Sequence, residues 1–187
     1  MNIAVYSGSF NPLHIGHLAI IKHLIEEADF DMVYLIVSPK NPLKDSISSD
    51  SATERYNAAV YAINRHFSES CKVRVDDIEL RMPDPHYTIR TLDALREREP
   101  GNAFTFVMGA DSLADIRRWK DYTRILKEFG AAVFPRKGHD LETIKADLLK
   151  EDPTYGITLL NAEMVDISST TIREAIASGN NPSAWLA

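Results

Sequence analysis

The chain lacks the features that mark several large protein classes. It has one cysteine, Cys71 in "SESCKVRV", so no intramolecular disulfide can form and a reducing cytoplasm is the expected compartment. No partner of metal-ligand spacing accompanies Cys71, which therefore reads as structural. No apolar run approaches the roughly 18 residues of a membrane span, and the N-terminus is too short and weakly apolar for a signal peptide. Positive charge is also scarce: 21 Lys and Arg against 27 Asp and Glu leave a formal net charge of −6. That balance argues against a protein whose main work is holding nucleic acid or an anionic membrane. A small anionic ligand stays open, because its pocket needs only a few well-placed donors. Repeats and low-complexity tracts are missing as well.

The rest of the 187 residues have an ordinary globular composition, 44% hydrophobic and 26% charged, which fits one domain over residues 1–187. Short apolar runs alternate with helical patterns along the whole chain. "NIAVY", "MVYLIV", "FTFVM" and "AAVF" read as strands covered on both faces, and "ITLL" is a weaker candidate. Between them lie amphipathic helices such as "HLAIIKHLIEEA" and "TIRTLDALRERE". "SATERYNAAVYAINRHF" opens with Ser51 and Glu54 in capping-box register, and Thr171 and Glu174 stand in the same register in "TIREAIASG", with Gly179 placed to stop that helix. Strict alternation predicts a doubly wound α/β fold, a parallel sheet with helices on both faces. In such a fold "SGSFNPLHIGH", "SPKNPLKD", "MGADS" and "PRKGHD" all emerge at one rim.

The most informative stretch is "SGSFNPLHIGH". It matches neither G-x-G-x-x-G nor G-x-x-x-x-G-K-[ST]. Zinc needs three or four converging ligands, and His14 and His17 lack a third, so no metal site is expected. Two readings stay open: a turn whose histidines hydrogen-bond locally, or a phosphate cradle. The second rests on position, because Gly16 and His17 should begin a helix, where unpaired N–H groups and the dipole attract anions. Gly8 and Gly16 would let backbone approach a ligand closely. Far along the chain, "DISSTTIREA" crowds hydroxyls at another helix start and puts Arg173 in its first turn, where the dipole disfavours a cation. Two donor-rich helix starts suggest the two ends of a polyphosphate site.

These residues carry a resemblance. "GSFNPLHIGH" resembles the G-[ST]-F-[DN]-P-x-H-x-G-H signature of the nucleotidyltransferase superfamily, and "ISSTTIR" resembles its partner, I-S-S-T-x-I-R. With "SPKNPLK", "HYTIRTL", "FVMGADSLADIRRWKDY" and "VFPRKG", the likeness spans nearly the whole chain and is greatest to the bacterial nicotinate-nucleotide adenylyltransferases. The departures are Ser7 for a first glycine, Asn11 for a frequent Asp, and a C-terminus that ends sooner than in relatives.

The resemblance implies a Rossmann-like fold and transfer of AMP from ATP to nicotinate mononucleotide, giving deamido-NAD and pyrophosphate. It implies Mg²⁺ carried by ATP with few direct protein ligands. Gly8, Ser9 and Phe10, with His14 and His17, are then expected on the ATP phosphates, and Ser169, Thr170 and Arg173 on their other side; His14, His17 and Arg173 are the catalytic candidates. Gly109 and Asp111 should line the adenosine half. Thr88 and Trp119 match positions for the nicotinate nucleotide, and Lys44 and Arg136 are looser candidates for anion contacts. Asp111 also reads as a helix cap, Thr88 as an N-cap, and Trp119 as a core aromatic. No nucleic acid or membrane partner is implied, and homo-oligomerisation stays open. Rival readings are a nicotinamide-mononucleotide or pantetheine-phosphate adenylyltransferase, and a noncatalytic nucleotide sensor on the same fold.

Overall fold

The computed structural model describes residues 1–39, 51–68, 70–162 and 167–187. The chain runs β1 (Asn2–Gly8), α1 (Ile15–Glu26), β2 (Met32–Val37), α2 (Ala52–His66), β3 (Val73–Asp76), α3 (Ile78–Arg81) and α4 (Thr88–Arg98). It continues through β4 (Ala103–Gly109), α5 (Ala110–Ala114), a 3₁₀ turn over Ile116–Arg118, α6 (Tyr122–Arg124), β5 (Ala131–Phe134), α7 (Leu141–Glu151), β6 (Ile157–Leu159) and α8 (Ser169–Ala177). The strands form one six-stranded sheet in the order β3-β2-β1-β4-β5-β6. Every pairing in it is parallel. This is the doubly wound arrangement that the alternation of elements predicts, and its switch point lies between β1 and β4.

Period-two alternation splits the core into two layers. Ile3, Val5, Tyr34, Ile36, Phe106 and Met108 face one side of the sheet, against Ile89, Leu92 and Leu95 of α4 and Leu113 of α5. Ala4, Tyr6, Val33, Leu35 and Val37 face the other, against Ile21 and Leu24 of α1 and Ala59, Ala62 and Ile63 of α2. Each fully buried aliphatic side chain contributes roughly 1.5–3 kcal/mol. Strands covered on both faces explain why their sequences are apolar throughout.

Three details differ from the sequence expectation. β3, "VRVD", has no apolar run because it is an edge strand: Arg74 is exposed, and Val73 and Val75 are half-buried. In "YTRILKEF" the helix widens to a π turn over Ile125–Phe129, closed by Gly130 N–H donating to the Ile125 carbonyl at 2.9 Å. The Leu126 carbonyl there accepts from Gly156 N–H at 2.8 Å, a tertiary bond that the local pattern cannot show. Finally, α8 is capped by Ser168, whose hydroxyl accepts from Thr171 N–H at 3.1 Å, so Thr171 is not the cap. Ser51 and Glu54 do form a capping box, with bonds of 3.1 and 2.7 Å. Cys71 is exposed, in the turn before β3.

Candidate active site

The first candidate turn leaves β1 on one side of the switch point. Phe10 adopts φ +43°, and the Asn11–Pro12 peptide is cis. The chain then enters α1 with His14 as the N-cap residue. His14 and His17 are one turn apart, and their rings stack with centroids 3.7 Å apart and an interplanar angle of 25°. The Phe10 ring meets His17 edge-on at 5.0 Å, and Tyr6 lies 6.2 Å from the same ring. The aromatic floor fixes the imidazoles in a poorly solvated place.

Both glycines of the motif make room for these rings. A Cβ on Gly16 would lie 3.1 Å from the His14 ring and 3.2 Å from Ile167, and one on Gly8 would lie 3.1 Å from the Phe10 ring. The expected close approach of backbone to a ligand is thus first a close approach of the chain to itself.

Hydrogen bonding sets the proton positions. The His14 N–H donates to Nδ1 of His17 at 3.2 Å. A neutral ring that accepts at Nδ1 carries its proton on Nε2, so His17 can donate from the opposite edge. His14 is buried, and its Nδ1 has no partner among the described residues. Burial, with the nearby Arg136 guanidinium second, lowers the His14 pKa to about 4. Burial, then His14 and Arg136, holds His17 well below the ordinary imidazole value. Both rings are neutral at pH 7, the form that donates without competing for a proton.

The start of α8 closes on this turn from behind. The Ser169 hydroxyl donates to the Pro12 carbonyl at 3.1 Å. Arg173 donates from Nη1 to the Asn11 carbonyl at 2.7 Å and from Nη2 to the Thr170 hydroxyl at 3.0 Å. A guanidinium has five N–H donors, so these two contacts leave others for a ligand. The C-terminal segment joins in: Ile15 N–H donates to the Trp185 carbonyl at 3.0 Å, and Leu186 bridges His14 in antiparallel fashion. Ile15 N–H and His17 N–H already have chain acceptors, so side chains carry more of the expected donor capacity than the bare helix start does.

The second turn leaves β4 across the switch point. Gly109 precedes α5, and a Cβ there would lie 2.5 Å from the Asp111 carboxylate and 3.1 Å from the Phe134 ring. Asp111 is exposed in the first turn of α5, with Arg136 4.0 Å away. Arg136 also lies over the Phe134 ring at 5.1 Å, and its charge reaches both histidines. Arg136 therefore faces the histidine side of the rim.

Thr88 and Trp119 belong to segments packed on the other core layer. Thr88 is the first residue of α4, whose N-cap position is Tyr87 rather than Thr88 itself. Trp119 is half-buried, with its ring edge against Phe106 at 5.8 Å. Lys44 lies outside the described residues. The sequence reading missed Arg55, Phe10 as a floor for His17, and the C-terminal contact with His14. Arg55 had one visible signal: it is a charged residue on the core-facing stripe of α2.

Residues 5–175 match the family model described as cytidylyltransferase-like. The chain belongs to that family. It is 36% identical over 191 residues to the probable nicotinate-nucleotide adenylyltransferase of Flavobacterium johnsoniae, an alignment covering 99% of this chain and 94% of the relative. The probable nicotinate-nucleotide adenylyltransferase of Porphyromonas gingivalis is 33% identical over 186 residues, covering 100% of this chain and 89% of the relative. Among solved structures, Plasmodium falciparum nicotinic acid mononucleotide adenylyltransferase complexed with NaAD superposes with a TM-score of 0.74 at 21% identity, covering 97% of this chain and 87% of that one. At that identity the likeness shows the fold, and it is the fold family that the motifs imply.

Proposed function

We propose that this chain transfers the adenylyl group of ATP to nicotinate mononucleotide, releasing pyrophosphate and forming deamido-NAD. The observation that carries the reading is the stacked, neutral His14–His17 pair at the head of α1, with the Ser169–Arg173 segment locked beside it. The names of the sequence relatives support the acceptor.

In this reading an oxygen of the acceptor's 5′-phosphate attacks the α-phosphorus of ATP. The new P–O bond forms as the bond from the α-phosphorus to the β-bridging oxygen breaks, and its electron pair leaves on pyrophosphate. The attacking oxygen is already anionic, so no general base is needed. Catalysis rests on alignment and on donors aimed where charge develops. His17 donates from Nε2 to an α-phosphate oxygen, with His14 beside it. Arg173 serves the leaving pyrophosphate with the donors its chain contacts leave over. Gly8, Ser9, Phe10, Ser169 and Thr170 frame the triphosphate. Gly109 and Asp111 border the adenosine, while Thr88 and Trp119 border the nicotinate end. Arg136 screens the phosphates from the histidine side.

Imidazole and backbone N–H donors suit phosphate oxygens rather than Mg²⁺, and no three His, Cys, Asp or Glu side chains converge among the described residues. Mg²⁺ would therefore arrive on ATP and neutralise phosphate charge, with Asp111 as an available carboxylate. The reading places the protein in the cytoplasm, where a lone exposed thiol stays reduced.

The test is pyrophosphate release from ATP-Mg²⁺ with nicotinate mononucleotide, nicotinamide mononucleotide or phosphopantetheine as acceptor. The proposal expects fastest turnover with nicotinate mononucleotide. Turnover mainly with phosphopantetheine would overturn the acceptor, and binding of ATP without turnover on any acceptor would indicate a sensor.

A further inference from the structure

A buried cation lies behind the site, and no step above uses it. Arg55 is 4% exposed and stands in step with Ala59, Ala62 and Ile63 on the core face of α2, where an apolar side chain is the norm. A buried guanidinium persists only when its fork is well satisfied. Here the fork spans the ends of two strands. Nη1 donates to the Ser9 carbonyl and, at 2.9 Å, to that of Ser38, while Nη2 donates to the Pro39 carbonyl at 3.0 Å. Ser38 N–H in turn donates to the Gly8 carbonyl at 2.9 Å. The turn after β1 and the end of β2 are thus tied together through one side chain.

The tie sets the direction of a peptide group. In a trans peptide the C=O and the following N–H point in opposite directions. Drawing the Ser9 carbonyl toward Arg55 therefore aims Phe10 N–H away from α2. The same peptide leads into Phe10 at φ +43°, whose ring supports His17. Arg173 holds the next carbonyl but one, that of Asn11, from the side of α8. We propose that Arg55 is a positioning residue for the phosphate-binding turn, orienting the Ser9–Phe10 peptide and the His17 floor without touching substrate. The proposal rests on the functional reading above in taking the turn's ligand to be the ATP triphosphate.

Arg55→Met and Arg55→Lys test it. Lysine keeps the charge, but its compact ammonium lacks the planar fork that reaches different carbonyls from Nη1 and Nη2. In Arg55→Met, measured below its melting temperature, kcat/KM for ATP is expected to fall about 100-fold, and KM for the acceptor to change by less than about threefold, as for a misplacement near 1 Å. Arg55→Lys should regain melting temperature but not ATP handling, and the Phe10 amide of either ligand-free variant should exchange with solvent faster than in the wild type. A folded Arg55→Met with unchanged ATP parameters would overturn the proposal, as would failure of both variants to fold, which would make Arg55 purely structural. A wild-type chain that binds ATP but turns over no acceptor would defeat the functional reading alone, and the Arg55 effect would then be read as the Kd for ATP.

Discussion

The turns after β1 and β4 flank the same switch point, yet they are built to different standards. The first is gripped from every side: Arg55 on Ser9, Arg173 on Asn11, Ser169 on Pro12, the C-terminal segment on Ile15, and Phe10 under His17. The second leads into a five-residue helix whose Asp111 is exposed and meets Arg136 only at 4.0 Å. Tight fixing is worth most where charge develops in the transition state, because a preorganised donor needs no reorganisation there. A rim that only recognises the nucleoside can stay open to solvent. Under the proposed mechanism, transition-state work falls to the β1 turn and ground-state binding to the β4 turn.

Replacing His17 should show the largest effect. His17→Ala is expected to lower kcat by about 10²–10³-fold, the usual cost of losing one such donor, with little change in KM for ATP. Stopped-time pyrophosphate assays at saturating substrates measure it. Arg173→Ala comes next, because it removes the grip on Asn11 and, in the proposed mechanism, a pyrophosphate donor. A fall of about 10–100-fold in kcat/KM for ATP is expected, together with a lower melting temperature, as for a hydrogen bond to a charged group worth roughly 1.5–3 kcal/mol. Loss of stability with unchanged kinetics would reduce Arg173 to a structural tie. Asp111→Ala should be the mildest, raising KM for ATP by about 3–10-fold with kcat nearly unchanged, the signature of one ground-state hydrogen bond.

How far the sequence could carry this picture differs between the same two regions. Both motifs, the parallel sheet and the helix starts were legible because each depends on local pattern: apolar runs, caps and ordered spacing. The partners of the motif residues were not legible. That a Cβ on Gly16 would crowd Ile167, and that Arg173 spends a donor on Asn11, depends on contacts between residues far apart in the chain. Arg55 was missed for a related reason. An arginine on an apolar stripe looks like an interruption until the carbonyls it serves are brought to it by β1 and β2. Edge strand β3 escaped because one open edge lets a charged residue into the pattern.

The histidine pair also gives the β1 turn a pH dependence. An unfolded imidazole titrates near 6.5, whereas burial brings folded His14 to about 4 and holds His17 well below 6.5. From pH 6.5 down to about 4 the unfolded chain binds more protons, so stability falls as the solution is acidified through that window. Thermal melts of the wild type should show the decline, and a His14→Asn, His17→Asn double variant should show a shallower one. In the proposed mechanism both rings meet the triphosphate as neutral donors. Calorimetry of ATP binding at pH 7 in buffers of different ionisation enthalpy should therefore register no proton uptake by the pair.

The most direct test of the division between the two turns is kcat for pyrophosphate release by His17→Ala and Asp111→Ala, side by side at saturating ATP-Mg²⁺ and nicotinate mononucleotide. The account expects kcat to collapse in His17→Ala and to stay near wild type in Asp111→Ala. Equal losses in the two variants, or full turnover in His17→Ala, would contradict it.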